Sequence, residues 1–436
     1  MTMHGYPFFR LKWGMVAVVA VLLFSLSCSK SPLETPSTAT PNQPATYSAT
    51  ISESDSLFCI EGVQTTGALY RICVPRYTWN GELFIWAHGY ESPLKSISLP
   101  DDDELVELVT GMGYAYATTS YSKTGLAIKQ GVEDVSDLVT IFEDQVAEPN
   151  YTYLVGGSEG GIVTTLAVEK HPEQFSGGLA MCGPIGDFSR QINYFGDFRV
   201  VFDYFFPGVI PGSPINIPQE VMLNFESKYI PRILDAIHAE PDKTLQLLRV
   251  TGAPFDPTNP ATIDETVISV LWFNVFSTND GQQTLGGQPF DNMNRRYRGS
   301  ANDADLNRRV QRFAADPQAL DEIEQFYQTS GQLQHHIVTL HTIADPVIPF
   351  WHERLYRSKV AAAGASHYID GSPVIRYGHC TFEPEEVLAA FAWLVFRVKG
   401  EELAALERVL QNPKARALYA KLQENPRPVA MAFPYN

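Results

Sequence analysis

Short apolar runs alternate along the chain with longer amphipathic ones. Leu83-Phe84-Ile85-Trp86-Ala87, Tyr114 to Thr119, Tyr151 to Val155, Gly177 to Gly183, Ile337 to His341 and Val374 to Tyr377 are continuous apolar or β-favouring stretches. Runs of that length without polar alternation predict strands covered on both faces. Between them, Asp101 to Met112, Ile128 to Val146 and Ile162 to Lys170 carry apolar residues at helical spacing. Glu383 to Val398 predicts another helix, and Glu401 to Gln423 adds further helix at the surface. Upstream, Ser56 to Ile60 and Ala68 to Val74 predict two antiparallel strands joined between Gly62 and Gly67. Strand and helix in strict alternation predict a mostly parallel sheet with right-handed crossovers.

The alternation breaks at Pro184. Residues 186–334 are dense in aromatics and prolines, and predict a mainly helical lid or cap inserted into the α/β core of residues 51–185 and 335–436. Helices are expected near Gln219 to Ala239 and Asp305 to Tyr327, and irregular loops over Asp280 to Gly287 and Phe290 to Ser300. The aromatics are expected mainly to pack the lid against the sheet. Tyr90 and Phe206 are candidates to face substrate.

Composition then adds a location. Arg10 and Lys12 precede a 13-residue apolar run, Gly14 to Leu26, too short to span a bilayer and suited to an export signal over residues 1–27. Ser25 and Ser27 stand just before Cys28, which resembles a bacterial lipoprotein signal with Cys28 as the lipidated residue. The usual leucine three residues before the cysteine is replaced by Ser25, so ordinary cleavage and release is the competing expectation. Residues 28–50, rich in Ser, Thr and Pro, predict a tether. The expected place is therefore the cell envelope, with a membrane partner through the lipid. The net charge of -17 argues against a nucleic-acid partner. With export, Cys59, Cys73, Cys182 and Cys380 could form disulfides. Cys59 and Cys73 sit in neighbouring strands, and all three pairings of the four stay open.

Candidate chemistry centres on Gly156-Gly157-Ser158-Glu159-Gly160, placed between a predicted strand and a predicted helix. That turn exposes a serine at a helix N-terminus, where a developing oxyanion is favoured. Serine needs a base, and the base a third group to orient it. Asp345, past one strand end, and His379, past the last, follow in the order Ser, Asp, His. Asp187 and Asp370 are rival acids, and His352 and His367 rival bases. His341 reads as a core residue inside a strand. His335-His336 lack a third metal ligand at sensible spacing, and His88 reads as a structural loop residue.

With His88-Gly89, the Ser158 turn, Asp345-Pro346-Val347-Ile348-Pro349 and Gly378-His379 in this order, the sequence resembles the α/β-hydrolase superfamily over roughly Ala68 to Val398. The resemblance implies an α/β-hydrolase fold and a serine hydrolase with Ser158 as nucleophile, His379 as base and Asp345 as the orienting acid. It implies an oxyanion hole from the backbone N–H groups of Glu159 and Tyr90. The Glu159 side chain is expected to hydrogen-bond structurally, and no metal or organic cofactor is implied. A carboxylic ester, small or polymeric, is the expected substrate. A peptidase of the prolyl-oligopeptidase type and a non-catalytic surface-binding lipoprotein are the competing readings.

Overall fold

The computed structural model describes residues 50–53, 56–400, 407, 409–411 and 413–424. The export signal, Cys28 and nearly all of the tether lie outside the described residues. Nine strands form one sheet: β1 Thr50–Glu53, β2 Leu57–Val63, β3 Leu69–Pro75, β4 Glu82–Ala87, β5 Ala115–Thr119, β6 Tyr151–Gly157, β7 Gly177–Met181, β8 His336–Ala344 and β9 Ile369–Tyr377. Their order is β1-β2-β3-β5-β4-β6-β7-β8-β9. The pairings β1/β2, β2/β3 and β3/β5 are antiparallel, and every later pairing is parallel. β2 and β3 put Cys59 opposite Cys73, and the two are disulfide-bonded.

Strand periodicity explains why the central runs are apolar throughout. In β4, Leu83, Ile85 and Ala87 point to one side, where they meet Val135, Leu138 and Phe142 of α2 (Ile128–Gln145) and Ile162 and Leu166 of α3 (Glu159–Lys170). Phe84 and Trp86 point to the other side, toward α1 (Asp103–Gly111) and Phe391 and Leu394 of α12 (Pro384–Lys399). Both faces are therefore buried, as parallel strands require. Among the described residues no helix is long and apolar enough to cross a membrane.

Between β7 and β8 the chain builds its own apolar core. It runs through α4 (Phe188–Phe205), α5 (Gln219–Leu223), a π-helical turn at Phe225–Tyr229, α6 (Ile230–Ala239), α7 (Pro241–Thr251), α8 (Ala261–Leu285), α9 (Asp303–Arg309) and α10 (Pro317–Phe326). Phe198, Phe202, Val267 and Leu271 form the centre of that core. Three expectations need correction. Asp280 to Leu285 is not a loop but the last turns of α8, closed by Gly286 in the left-handed conformation. The Asp280 carboxylate is occupied by Lys123 and the Leu126 N–H, which holds those turns against the core. The single helix expected over Asp305 to Tyr327 is two, because Pro317 can only start a helix. The π-helical turn splits the helix expected over Gln219 to Ala239.

Candidate active site

β6 ends at Gly157, and Ser158 adopts φ 57 and ψ -121 before α3 begins at Glu159. A non-glycine residue in this region is strained, and the neighbours show what holds it. A Cβ at Gly160 would collide with the Ala87 carbonyl, and one at Gly156 with the Gly160 carbonyl. Only glycine lets strand, turn and helix pass this closely. The Ser158 N–H is tied to the Met181 carbonyl at the end of β7, 2.9 Å away.

Two loops from the last strands meet this serine. β8 and β9 pair as far as Ala344 with Tyr377, so Asp345 and His379 leave adjacent strand ends. His379 Nε2 lies 2.8 Å from Ser158 Oγ, and His379 Nδ1 lies 2.7 Å from Asp345 Oδ2. The Asp-Pro-Val-Ile sequence is a local device: Asp345 Oδ1 accepts from the backbone N–H groups of Val347 and Ile348 at 2.8 and 2.9 Å. Asp345 is fully buried. Burial by itself would raise its pKa, but His379 and His341 outweigh burial and hold it below the ordinary carboxylate value. Serine, imidazole and carboxylate thus form one hydrogen-bonded chain at the carboxyl edge of the parallel strands.

The strand order and this edge decide the architecture. The fold is that of the α/β-hydrolases. No family model and no curated protein matches the sequence. Among solved structures, the hydrolase fold is similar to feruloyl esterase B from Aspergillus oryzae, at 16% identity and TM-score 0.43, covering 80% of this chain and 84% of that one. Candida antarctica lipase A matches at 15% identity and TM-score 0.42, over 86% and 90% of the two chains. The acylaminoacyl peptidase of Pyrococcus horikoshii matches at 10% identity and TM-score 0.41, over 84% of this chain and 44% of that one. The strand order of this chain by itself carries the fold.

Within the hydrolase fold, the loop after β4 lies against the serine. A Cβ at Gly89 would sit 3.4 Å from Ser158 Cβ. His88 Nδ1 donates to the Gly89 carbonyl at 2.7 Å and its ring stacks on Tyr121 at 4.0 Å. In a trans peptide the N–H points opposite to the C=O, so His88 fixes the direction of the Tyr90 N–H. The Glu159 N–H is among the first of α3, which have no partner within the helix. The Glu159 side chain accepts from the Ala127 N–H at 2.6 Å. Burial pushes its pKa up to about 8, so at neutral pH the carboxyl beside the serine is mainly protonated.

A cleft opens at Ser158 between the core and the helical insertion. Its walls are chiefly apolar, with Ile192, Phe195, Ile215, Phe273 and Leu285, and Tyr90 and Glu159 also line it. Tyr90 donates to the Phe276 carbonyl of α8 at 3.2 Å, joining the two sides. Phe206 is not in this cleft. It packs against Phe202 and Phe205 inside the insertion, so its expected place beside substrate is corrected: the turn after α4 carries it into that core.

The rivals are engaged elsewhere. Asp187 caps α4 through the Arg190 N–H, and Asp370 pairs with Arg397. His352, fully buried, accepts from the Gly186 N–H and reaches Gln191; His367 lies in a short 3-10 turn. Sequence reasoning did not see that α4 holds the acid loop, with Tyr194 donating to the Pro346 carbonyl and Gln191 to the Val347 carbonyl. Nor did it see that Cys182 and Cys380 are bonded, tying the end of β7 to the residue after His379. Cys182, His379 and Cys380 stand close enough for a metal site, but sulfurs joined in a disulfide are not thiolate ligands.

Proposed function

We propose that this protein is an exported serine hydrolase that cleaves carboxylic esters carrying a large apolar group. The observation that carries the reading is the unbroken Ser158–His379–Asp345 hydrogen-bond chain at the mouth of an apolar cleft. His379 takes the Ser158 proton as Oγ attacks the ester carbonyl, and Asp345 holds the ring in the tautomer with a proton on Nδ1. The Glu159 and Tyr90 N–H groups receive the developing oxyanion. His379 passes its proton to the departing alkoxide. Water, deprotonated by the same imidazole, then releases the acid from Ser158. The helical insertion serves as the lid over the cleft. The basic start, the apolar run and Cys28 support export and a lipid anchor at the cell envelope.

A fluorophosphonate probe should label Ser158 in the folded protein, located by peptide mapping; an unlabelled Ser158 sinks the nucleophile assignment. Asp345→Asn should lower kcat by about 10³- to 10⁴-fold with folding intact. In a series of p-nitrophenyl esters, kcat/KM should rise by up to about four-fold per added acyl CH₂, as burial of about 0.8 kcal/mol per CH₂ implies. Best turnover on the acetate would refute the apolar preference. Turnover of peptide anilides in preference to esters would move the reading to a peptidase.

A further inference from the structure

His341 lies in β8, four residues before the acid, and faces the same Asp345 oxygen as His379. Its Nε2 is 2.8 Å from the Ile348 carbonyl oxygen and 3.6 Å from Asp345 Oδ2. Its Nδ1 is 3.5 Å from Oε1 of Glu353, on α11 (Trp351–Ala362). All three residues are almost wholly buried: His341 is 1% exposed, Asp345 0% and Glu353 6%. The other oxygen of Glu353 accepts from Thr339 Oγ1 at 2.6 Å. Around this pair stand neutral His352 on α11 and, one turn beyond Glu353, Arg357, while Phe350 meets the ring edge-on at 5.6 Å.

We propose that His341 is a buried imidazolium which positions Asp345 and tempers the negative charge that Asp345 presents to His379. A carbonyl oxygen only accepts, so Nε2 carries a proton. Nδ1 faces a carboxylate. A neutral ring would leave two buried carboxylates in one pocket with no cation between them, and uncompensated buried charge is costly. Burial works against the protonated ring, yet the attraction of the Asp345 and Glu353 carboxylates at 3.6 and 3.5 Å prevails and raises its pKa to about 10. The Asp345 carboxylate then faces only donors: Oδ1 two backbone N–H groups, Oδ2 the His379 ring and, at 3.6 Å, His341. The bond from His341 to Ile348 also closes the acid loop from beneath. Glu353 and His341 thus stand as a charged row behind the hydrogen-bonded Asp345, His379 and Ser158. The consequence for turnover rests on the proposed hydrolase reading; the charge state of His341 does not.

The test has one arm on the wild-type protein and one on variants. In the full chain labelled with ¹⁵N-histidine, one ring should keep both nitrogens protonated at pH 8.5, and Glu353→Gln should make that ring titrate at lower pH. If no ring is doubly protonated at pH 8.5, or if Glu353→Gln leaves it unmoved, the inference is overturned. With the proton count set this way, the result stands whether or not Ser158 turns over esters. In kinetics, His341→Gln keeps a donor for Ile348 but removes the charge. It should move the acid limb of the kcat/KM–pH profile upward by about one pH unit. It should also lower kcat on the order of ten-fold with KM little changed, the pattern of a group felt in the transition state. A purely structural His341 would lower Tm and leave the profile superimposed on wild type, which also overturns the proposal. Should His341→Gln fail to fold, the labelled wild type and Glu353→Gln decide alone.

Discussion

At Glu159 two demands meet. The residue begins a helix and, in the proposed reaction, its backbone N–H faces the oxyanion, yet its carboxyl belongs to the same residue. Burial eases the conflict by raising the pKa of the acid to about 8, with the Ala127 N–H as its partner. Glu159→Gln is expected to match wild-type kcat/KM at pH 7 to within a few-fold. The variant should keep its activity above pH 8, where wild type falls as the carboxylate ionises and repels the oxyanion. Coincident alkaline limbs would show that this carboxyl does not reach the reaction. The Ser158 turn was legible in the sequence because its glycines and its position between strand and helix are local. The protonation of Glu159 was not, since it depends on the Ala127 loop and on water excluded by distant segments.

Among the elements, two ties hold the site together. The Cys182–Cys380 disulfide joins the end of β7 to the loop that carries His379. Cys182 and Cys380 both sit at positive φ, at 46° and 53°, so this loop has backbone strain to hold. Replacing both cysteines by serine is expected to cost about 2–5 kcal/mol of stability. It should also lower kcat, because the imidazole loses its fixed distance to Ser158; calorimetry and ester kinetics check the two halves. The second tie is Asp280 of α8, which binds Lys123 and the Leu126 N–H across the cleft. Asp280→Ala should leave Lys123 without a carboxylate, held only by the Leu126 carbonyl and Thr284, and raise KM for esters with large acyl groups more than it lowers kcat. An unchanged KM across the acyl series would rule out a role for this contact in closing the cleft. Helix α8 escaped the sequence reading at this end because Asp280 and Gly281 are poor helix formers; their tertiary partners decide the matter.

For the molecule as a whole, buried ionisable groups of opposite sign set the pH range of stability. Burial raises Glu159 to about 8 and Asp102 and Asp197 to about 6, and His341 stands at about 10. Groups raised on folding stabilise fully below their unfolded values, and that contribution disappears as pH climbs through the folded ones. His336, pushed down by burial to about 4, and the depressed Asp345 and Glu353 act in the other direction and lose their contribution as pH falls. The three raised carboxyls outweigh His336 from about pH 4 upward, so Tm is expected to peak near pH 4 and to decline steadily toward pH 10. A plateau extending to pH 9 would contradict these shifts. The sequence by itself determined the alternation of strands and helices, the Ser158 turn and the places of Asp345 and His379 past strand ends, because each is written in local periodicity and turn chemistry. Only the tertiary structure decided that Phe206 packs into the insertion, that Cys182 meets Cys380, that α4 braces the acid loop and that His341 stands between two buried carboxylates. Those depend on contacts between residues far apart in the chain, where burial, and not residue type, fixes which groups touch and which keep their protons.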